Sequence, residues 1–296
     1  MTLPNDLLVH RVSATPSGGG GLWWPLRGAF TTYVSSTNNL AEIGNGTPHA
    51  DKWTDTTWGY RFPATNGTPG PVVLRAAHDA GNNLEDVLRL TAPAQGVEVI
   101  VAWEMSLGAV PSGHETIWTY GANSTASQYG MSLWGNPGVS MVPYISYRPI
   151  GGGAAVDVQM TGSTALNAGI GQFVGQGRFV AAVAFRIATT GSNITTEFAA
   201  TNGTLSCSYT TPSELWGSGA TRPGLGTGSA AAHFGVSIGG RQLSSGSHDR
   251  LWGTTGGLVI GNWQAARFAS SKAARLSNAL VELLVASGEY ALVRAA

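Results

Sequence analysis

From Leu22 onward the chain runs in short apolar or alternating stretches separated by Gly, Pro, Asn and Ser. The clearest is VEVIVAWEM, where Val97, Val99, Val101, Trp103 and Met105 share one side and Glu98, Ile100, Ala102 and Glu104 the other. Successive strand residues point to opposite faces, so this spacing predicts a strand covered on at least one side. Comparable runs recur at Glu115 to Tyr120, Tyr129 to Trp134, Val139 to Tyr147, Arg178 to Ile187, Ile194 to Ala200, Thr204 to Tyr209, His233 to Ile238 and Gly257 to Ile260. Turn signals separate nearly all of them: Asn136-Pro137-Gly138, Gly151-Gly152-Gly153, Gly191-Ser192-Asn193, Asn202-Gly203 and Gly239-Gly240. Asn202-Gly203 is the strongest, because a type I′ turn needs φ > 0 at both central residues and Asn-Gly tolerates it. Residues 194–209 therefore read as a hairpin. Many short strands with little helix predict an all-β fold, an antiparallel sandwich or jelly roll.

Two segments depart from this texture. Leu276, Leu280, Leu283 and Leu284 fall at helical spacing, with Ser277 as N-cap and Gly288 as stop, which predicts one short C-terminal helix before a final strand at Tyr290 to Arg294. At the other end, MTLPNDLLVHRV followed by the Pro/Ser/Gly run Ser13 to Gly21 reads as an arm and tether, or equally as an unstructured leader. The expected organisation is residues 1–21 as arm and tether and 22–296 as a single sandwich domain.

Composition narrows the function classes. The 16 Lys+Arg balance the 16 Asp+Glu, and the basic residues, of which only Lys52 and Lys272 are lysines, are scattered. No long-range field is available to hold a phosphate backbone or an anionic membrane, so nucleic-acid binding is not expected. One cysteine, Cys207, cannot form an internal disulfide, and the histidines His10, His49, His78, His114, His233 and His248 are too dispersed for a zinc motif. No window approaches 18 uninterrupted apolar residues, and the N-terminus lacks a charged region followed by an apolar one. Membrane insertion is not expected. The expected location is a cytoplasm, or export by a route other than a cleaved signal.

The order of three stretches resembles a concanavalin A-like lectin/glucanase jelly roll of the laminin-G-like type. They are VEVIVAWEM, the pair RFVAAVAFRI and ITTEFAATNGTLSC around its Asn-Gly turn, and FGVSIGGR followed by GGLVIGNWQAARFASSKAARLSNALVEL. Together they cover roughly residues 95 to 296. Domains of this kind, joined to short arms and poor in Lys, look like those of tailed-bacteriophage virion proteins. The resemblance implies a virion location after assembly in a host cytoplasm, docking on other virion proteins through the arm, and a homo-oligomer.

The glucanase branch implied by the resemblance uses Glu-x-Asp-x-x-Glu, which does not occur here. Retaining glycoside hydrolysis needs two carboxyl groups about 5 Å apart. Glu98 and Glu104 stand about 20 Å apart along a strand and are expected as solvated outer-face charges. Asp51 and Asp55 beside Trp53 and Trp58 could bind a sugar, the rings covering its apolar face and the carboxylates its hydroxyls, or could pack the sandwich face. Asp79, Asn82 and Asp86, in HDAGNNLED with Asn83 and Glu85, are the densest oxygen cluster and could hold calcium, although the spacing fits no EF-hand; an Asx-rich turn is the alternative. The loop of His248, Asp249 and Trp252 could form a ligand-binding rim or lie simply solvated. Gly235-Val236-Ser237-Ile238-Gly239 matches a nucleophile elbow in letters but lies in an apolar strand with no helix behind it. No catalytic residue and no cofactor beyond possible calcium is expected. The leading expectation is a non-enzymatic structural or adhesion protein of a phage virion, in a tail fibre, tail or capsid decoration. The alternatives are a host-glycan-binding adhesin and a polysaccharide depolymerase.

Overall fold

The alternation at Val97 becomes an eleven-residue strand at the centre of a sheet, and its neighbours assemble around it. The structure is a computed structural model, and it describes residues 22–25, 40–43, 54–55, 60–62, 73–76, 88, 97–121, 128–136, 140–148, 156–162, 169–187, 194–211, 236–242, 248–252 and 257–268. In chain order the strands are β1 (Leu22–Pro25), β2 (Leu40–Ile43), β3 (Thr54–Asp55), β4 (Tyr60–Phe62), β5 (Val73–Ala76), β6 (Val97–Leu107), β7 (His114–Tyr120), β8 (Gln128–Asn136) and β9 (Ser140–Arg148). They continue as β10 (Val156–Gln159), β11 (Thr161–Gly162), β12 (Arg178–Ile187), β13 (Ile194–Thr201), β14 (Ser206–Thr210), β15 (Val236–Ile238), β16 (Arg241–Gln242), β17 (His248–Asp249) and β18 (Leu258–Phe268), with a 3-10 turn at Ile170–Phe173. The expected C-terminal helix, the final strand and the N-terminal arm lie outside the described residues.

The strands form two antiparallel sheets, the all-β sandwich that the alternation predicts. A nine-stranded sheet runs β11-β14-β13-β12-β6-β18-β4-β3, with β1 also on β18. A seven-stranded sheet runs β10-β9-β8-β7-β15-β5-β2, and β16 and β17 form a separate ribbon. Between β10 and β11 only Met160 intervenes, so the chain steps there from one sheet to the other.

Aromatic rings fill the space between the sheets. Trp118 of β7 meets Trp103 of β6, Phe185 of β12 and Trp263 of β18, all edge-on with centroids 5.9 to 6.4 Å apart. Edge-to-face rings at this spacing contribute about 0.5–1.5 kcal/mol per pair beyond the area they bury. The second face of β6 is buried as well, through Ile100, Ala102 and Glu104, as are Val180, Ala182 and Ala184 of β12. Glu104 is therefore not the solvated charge expected: β6 sits between β12 and β18 in mid-sheet, and the Glu104 carboxylate lies 4.0 Å from Arg178 Nε.

Two local expectations also change. β18 does not stop at Ile260 but continues to Phe268, because a bulge between Gly261 and Gln264 restores its register with β6. This leaves one flank of β18 to β4 at one end and to β1 at the other. The hairpin of β13 and β14 forms, but its turn is not type I′. Only Gly203 has positive φ, at 90°, while the Asn202 side chain accepts from the backbone N–H groups of Thr204 and Leu205 at 3.0 and 2.7 Å. Asn202 N–H donates to the Leu205 carbonyl at 3.2 Å, so Gly203 holds the first central position, which favours glycine in a II′-type turn. Ser237 lies buried within β15, between β5 and β7.

Candidate functional site

The strands of the smaller sheet alternate, apart from one bulge in β7 between Thr116 and Trp118, where Ile117 and Trp118 both turn inward. Trp118, Tyr120, Tyr129, Met131, Leu133, Ile145 and Val158 enter the core, which sends the intervening side chains to the opposite face. Register aligns these in rows. Thr119, Gly130, Ser146 and Asp157 form one; Thr116, Ser132, Tyr144 and Gln159 the next; His114, Trp134 and Val142 the third. Gly130 is required where it stands, because a Cβ there would fall 2.3 Å from the Trp118 carbonyl oxygen and 2.6 Å from the Thr119 Cα.

Arg250 ties this face across its width. Its carbonyl accepts a hydrogen bond from the Thr116 N–H of β7 at 2.9 Å. Its guanidinium grips the Asp157 carboxylate of β10 with both Nη atoms, Nη1 at 2.6 Å from Oδ1, and Nη1 also lies 3.3 Å from Ser146 Oγ. Ser146 in turn donates to Asp157 Oδ1 at 2.7 Å and approaches Ser132 Oγ at 3.4 Å. β7 and β10 are three strand spacings apart, about 14 Å on a flat sheet. Arg250 lies against β7, so its side chain and that of Asp157 meet only if the sheet curls toward this face. The face is concave.

Arg250 is also the described non-glycine residue with positive φ, 49°. Two anchors hold it there, the carbonyl on β7 and the guanidinium on β10, and backbone strain of this kind concentrates at functional positions. Burial alone would raise the Asp157 pKa, but the hydrogen bonds from Arg250 and Ser146 and the charges of Arg250 and His114 outweigh it and hold the carboxyl below its ordinary value.

Beside this pair stand three half-buried rings. His114 meets Tyr144 edge-on at 4.7 Å and Trp134 at 6.1 Å, and Trp134 lies 6.4 Å from Tyr144. The Tyr144 hydroxyl donates to Gln159 Oε1 at 3.1 Å. Burial first, and then the charges of Arg250 and Arg241, push the His114 pKa below 6.5 against the opposing pull of Asp157, so the imidazole is neutral at pH 7. Tyr144 is shifted up by burial and by Asp157 and keeps its proton. The arrangement joins ring surfaces to a charged fork, hydroxyls and an amide on one concave wall.

The residues singled out from the sequence fall elsewhere. Asp249 is engaged by Arg241, Nε to Oδ1 at 2.8 Å and Nη2 to Oδ2 at 2.5 Å, which fixes the β16–β17 ribbon. Trp252 is not a rim residue: its ring is 1% exposed and belongs to the core, because the positive φ of Arg250 turns the chain and Trp252 N–H bonds the Gly239 carbonyl. His248 lies on β17 opposite Gln242, and Asp55 on β3 opposite Tyr60. Asp51, Trp53, Trp58, Asp79, Asn82 and Asp86 lie outside the described residues. Among the described residues no group of three or more His, Cys, Asp or Glu is placed to hold a metal, and no helix is long and apolar enough to cross a membrane. His114, Trp134, Tyr144, Ser146, Asp157 and Gln159 were not legible as a group. Their common signal is the polar or aromatic residue at alternate positions of four successive strands.

No protein-family model and no curated protein matches the chain. Solved structures similar to it include the binding domain of botulinum neurotoxin DC in complex with SialylT, at 12% identity and a TM-score of 0.42, covering 84% of this chain and 48% of that one. The chain thus spans about half the length of the neurotoxin binding domains it matches. The alginate lyase Aly36B matches at 11% identity and a TM-score of 0.41, covering 78% and 88% of the two chains. The sialidase of Trypanosoma rangeli in complex with 2,3-difluorosialic acid matches at 13% and 0.41, covering 96% and 37%.

Proposed function

We propose that this chain binds carbohydrate on the concave face of its seven-stranded sheet and does so without catalysing a reaction. The observation that carries the reading is the juxtaposition of His114, Trp134 and Tyr144 with the Arg250–Asp157 fork on one wall. Rings of this kind cover the apolar face of a pyranose, and fixed polar groups beside them sort its hydroxyls. Against hydrolysis, Asp157 and Asp249 are held in arginine forks, so neither is set up as the acid or nucleophile of a carboxylate pair. In its finer form the reading is of an adhesion module on a tailed-phage virion, joined through residues 1–21 and working as a homo-oligomer. That form draws on the resemblance noted from the sequence.

The test is binding of the purified protein to an array of lipopolysaccharides and capsular polysaccharides, with and without calcium. Saturable, glycan-selective binding that falls at least tenfold in Trp134→Ala and Tyr144→Ala is the expected outcome. Absence of binding overturns the reading, and release of reducing sugar from any bound glycan overturns its non-enzymatic part.

A further inference from the structure

We infer that this face is a blind-ended cleft that takes the terminal residue of a glycan and not the interior of a polysaccharide chain. The inference rests on the carbohydrate reading above and adds to it how the ligand is presented.

The geometry is that of a bar across a groove. Arg250 is fastened to β7 on one flank through its carbonyl and to Asp157 of β10 on the other through its guanidinium, so the pair crosses the two strands between them, β8 and β9. Beneath and behind the bar the floor is shut off from solvent: Thr116, Thr119, Ser132 and Ser146 are all buried, although their side chains are polar and lie on the outer face. The hydroxyls of Thr116 and Thr119 are buried there with no hydrogen-bond partner. With these four side chains out of reach of solvent, no channel for a threading chain runs beneath the pair. Ahead of the bar the surface opens. His114, Trp134, Val142 and Tyr144 are half-buried and Gln159 is exposed.

A sugar stacked on the rings therefore meets the Arg250–Asp157 pair with one end. A guanidinium fork and a carboxylate present donors and acceptors together, which suits a ring carrying adjacent free hydroxyls and no further glycosidic bond. An internal residue would need its chain to continue where the bar and the sealed floor stand.

Calorimetric titration with length-fractionated linear capsular polysaccharide, chosen from the array, decides the point. Terminal recognition fixes one protein bound per chain whatever its length; a stoichiometry that rises in proportion to chain length overturns the inference while leaving carbohydrate binding intact. Arg250→Gly, which suits the positive φ, and Asp157→Ala remove the bar from its two ends. At least one of them is expected to bind along the chain, with stoichiometry rising with length, and end-limited binding in both overturns the assignment of the closed end to this pair. No binding by the unaltered protein at any length overturns the carbohydrate reading and this inference with it.

Discussion

Trp118 of β7 lies edge-on to Trp103 of β6, 6.4 Å between centroids at 70°, and also meets Phe185 and Trp263 of the opposite sheet and Tyr129 of its own. Truncating it removes one partner from each of those pairs and leaves a cavity that four neighbours cannot all collapse into. Trp118→Ala is expected to cost about 3–5 kcal/mol of unfolding free energy in urea titration. A loss below about 1 kcal/mol would show that the sandwich is not held at this ring.

Arg250 combines an unfavourable backbone with a favourable side chain, and two substitutions separate them. Arg250→Ala loses the Asp157 pair and keeps a Cβ at φ 49°; Arg250→Gly loses the same pair and relaxes the backbone. Both are expected to be less stable than the parent. The glycine variant should be the better of the two by about 1 kcal/mol, measured by chemical denaturation. Equal stabilities would mean that the backbone at this position carries no strain.

Acid should loosen the same face in two steps. The His114 pKa lies below 6.5 in the folded chain, so as pH falls through 6.5 the unfolded state takes up a proton first and stability declines until the folded imidazole also titrates. The Asp157 pKa is depressed below 3.8, so its contribution is complete above that value and is lost as pH falls through the folded pKa. Melting temperatures of the parent and His114→Gln between pH 7.5 and 3 check both signs. The variant should lose the first decline and keep the second; identical profiles would place the first decline on other histidines.

Cys207 faces the core beside Tyr209, and burial, only partly offset by a hydrogen bond with the Ala200 backbone, pushes its thiol up to about 12. Thiolate is the reactive form, so the native protein at pH 8 should not react with Ellman's reagent, whereas protein in denaturant should release one equivalent. Rapid labelling of the native protein would contradict the burial of β14.

The strands were legible because their alternation is a local property: β6, β7, β8, β9, β12 and β13 all begin within a few residues of where the pattern places them. The binding face was not, and the reason is register. His114, Trp134 and Tyr144 are far apart in sequence, and nothing in HETIWTY or VSMVPYISY shows that β7, β8 and β9 align them on one side. Asp157 gave no signal alone, since its partner Arg250 lies 93 positions away. Glu104 and Trp252 misled for the opposite reason. A charge in an alternating strand and an aromatic in a polar loop both read as surface, whereas a mid-sheet position and a left-handed backbone bury them.

The order of strands within the sheets bears on how the protein behaves when concentrated. As described, each sheet is bounded by brief strands: β11 and β3 of two residues, β10 and β2 of four. The step at Met160 further joins the β10 and β11 edges into one flank. Among the described strands, an incoming chain finds only short edges on which to template, and the long, regular strands that would seed a fibril lie inside the sheets with both neighbours already in place.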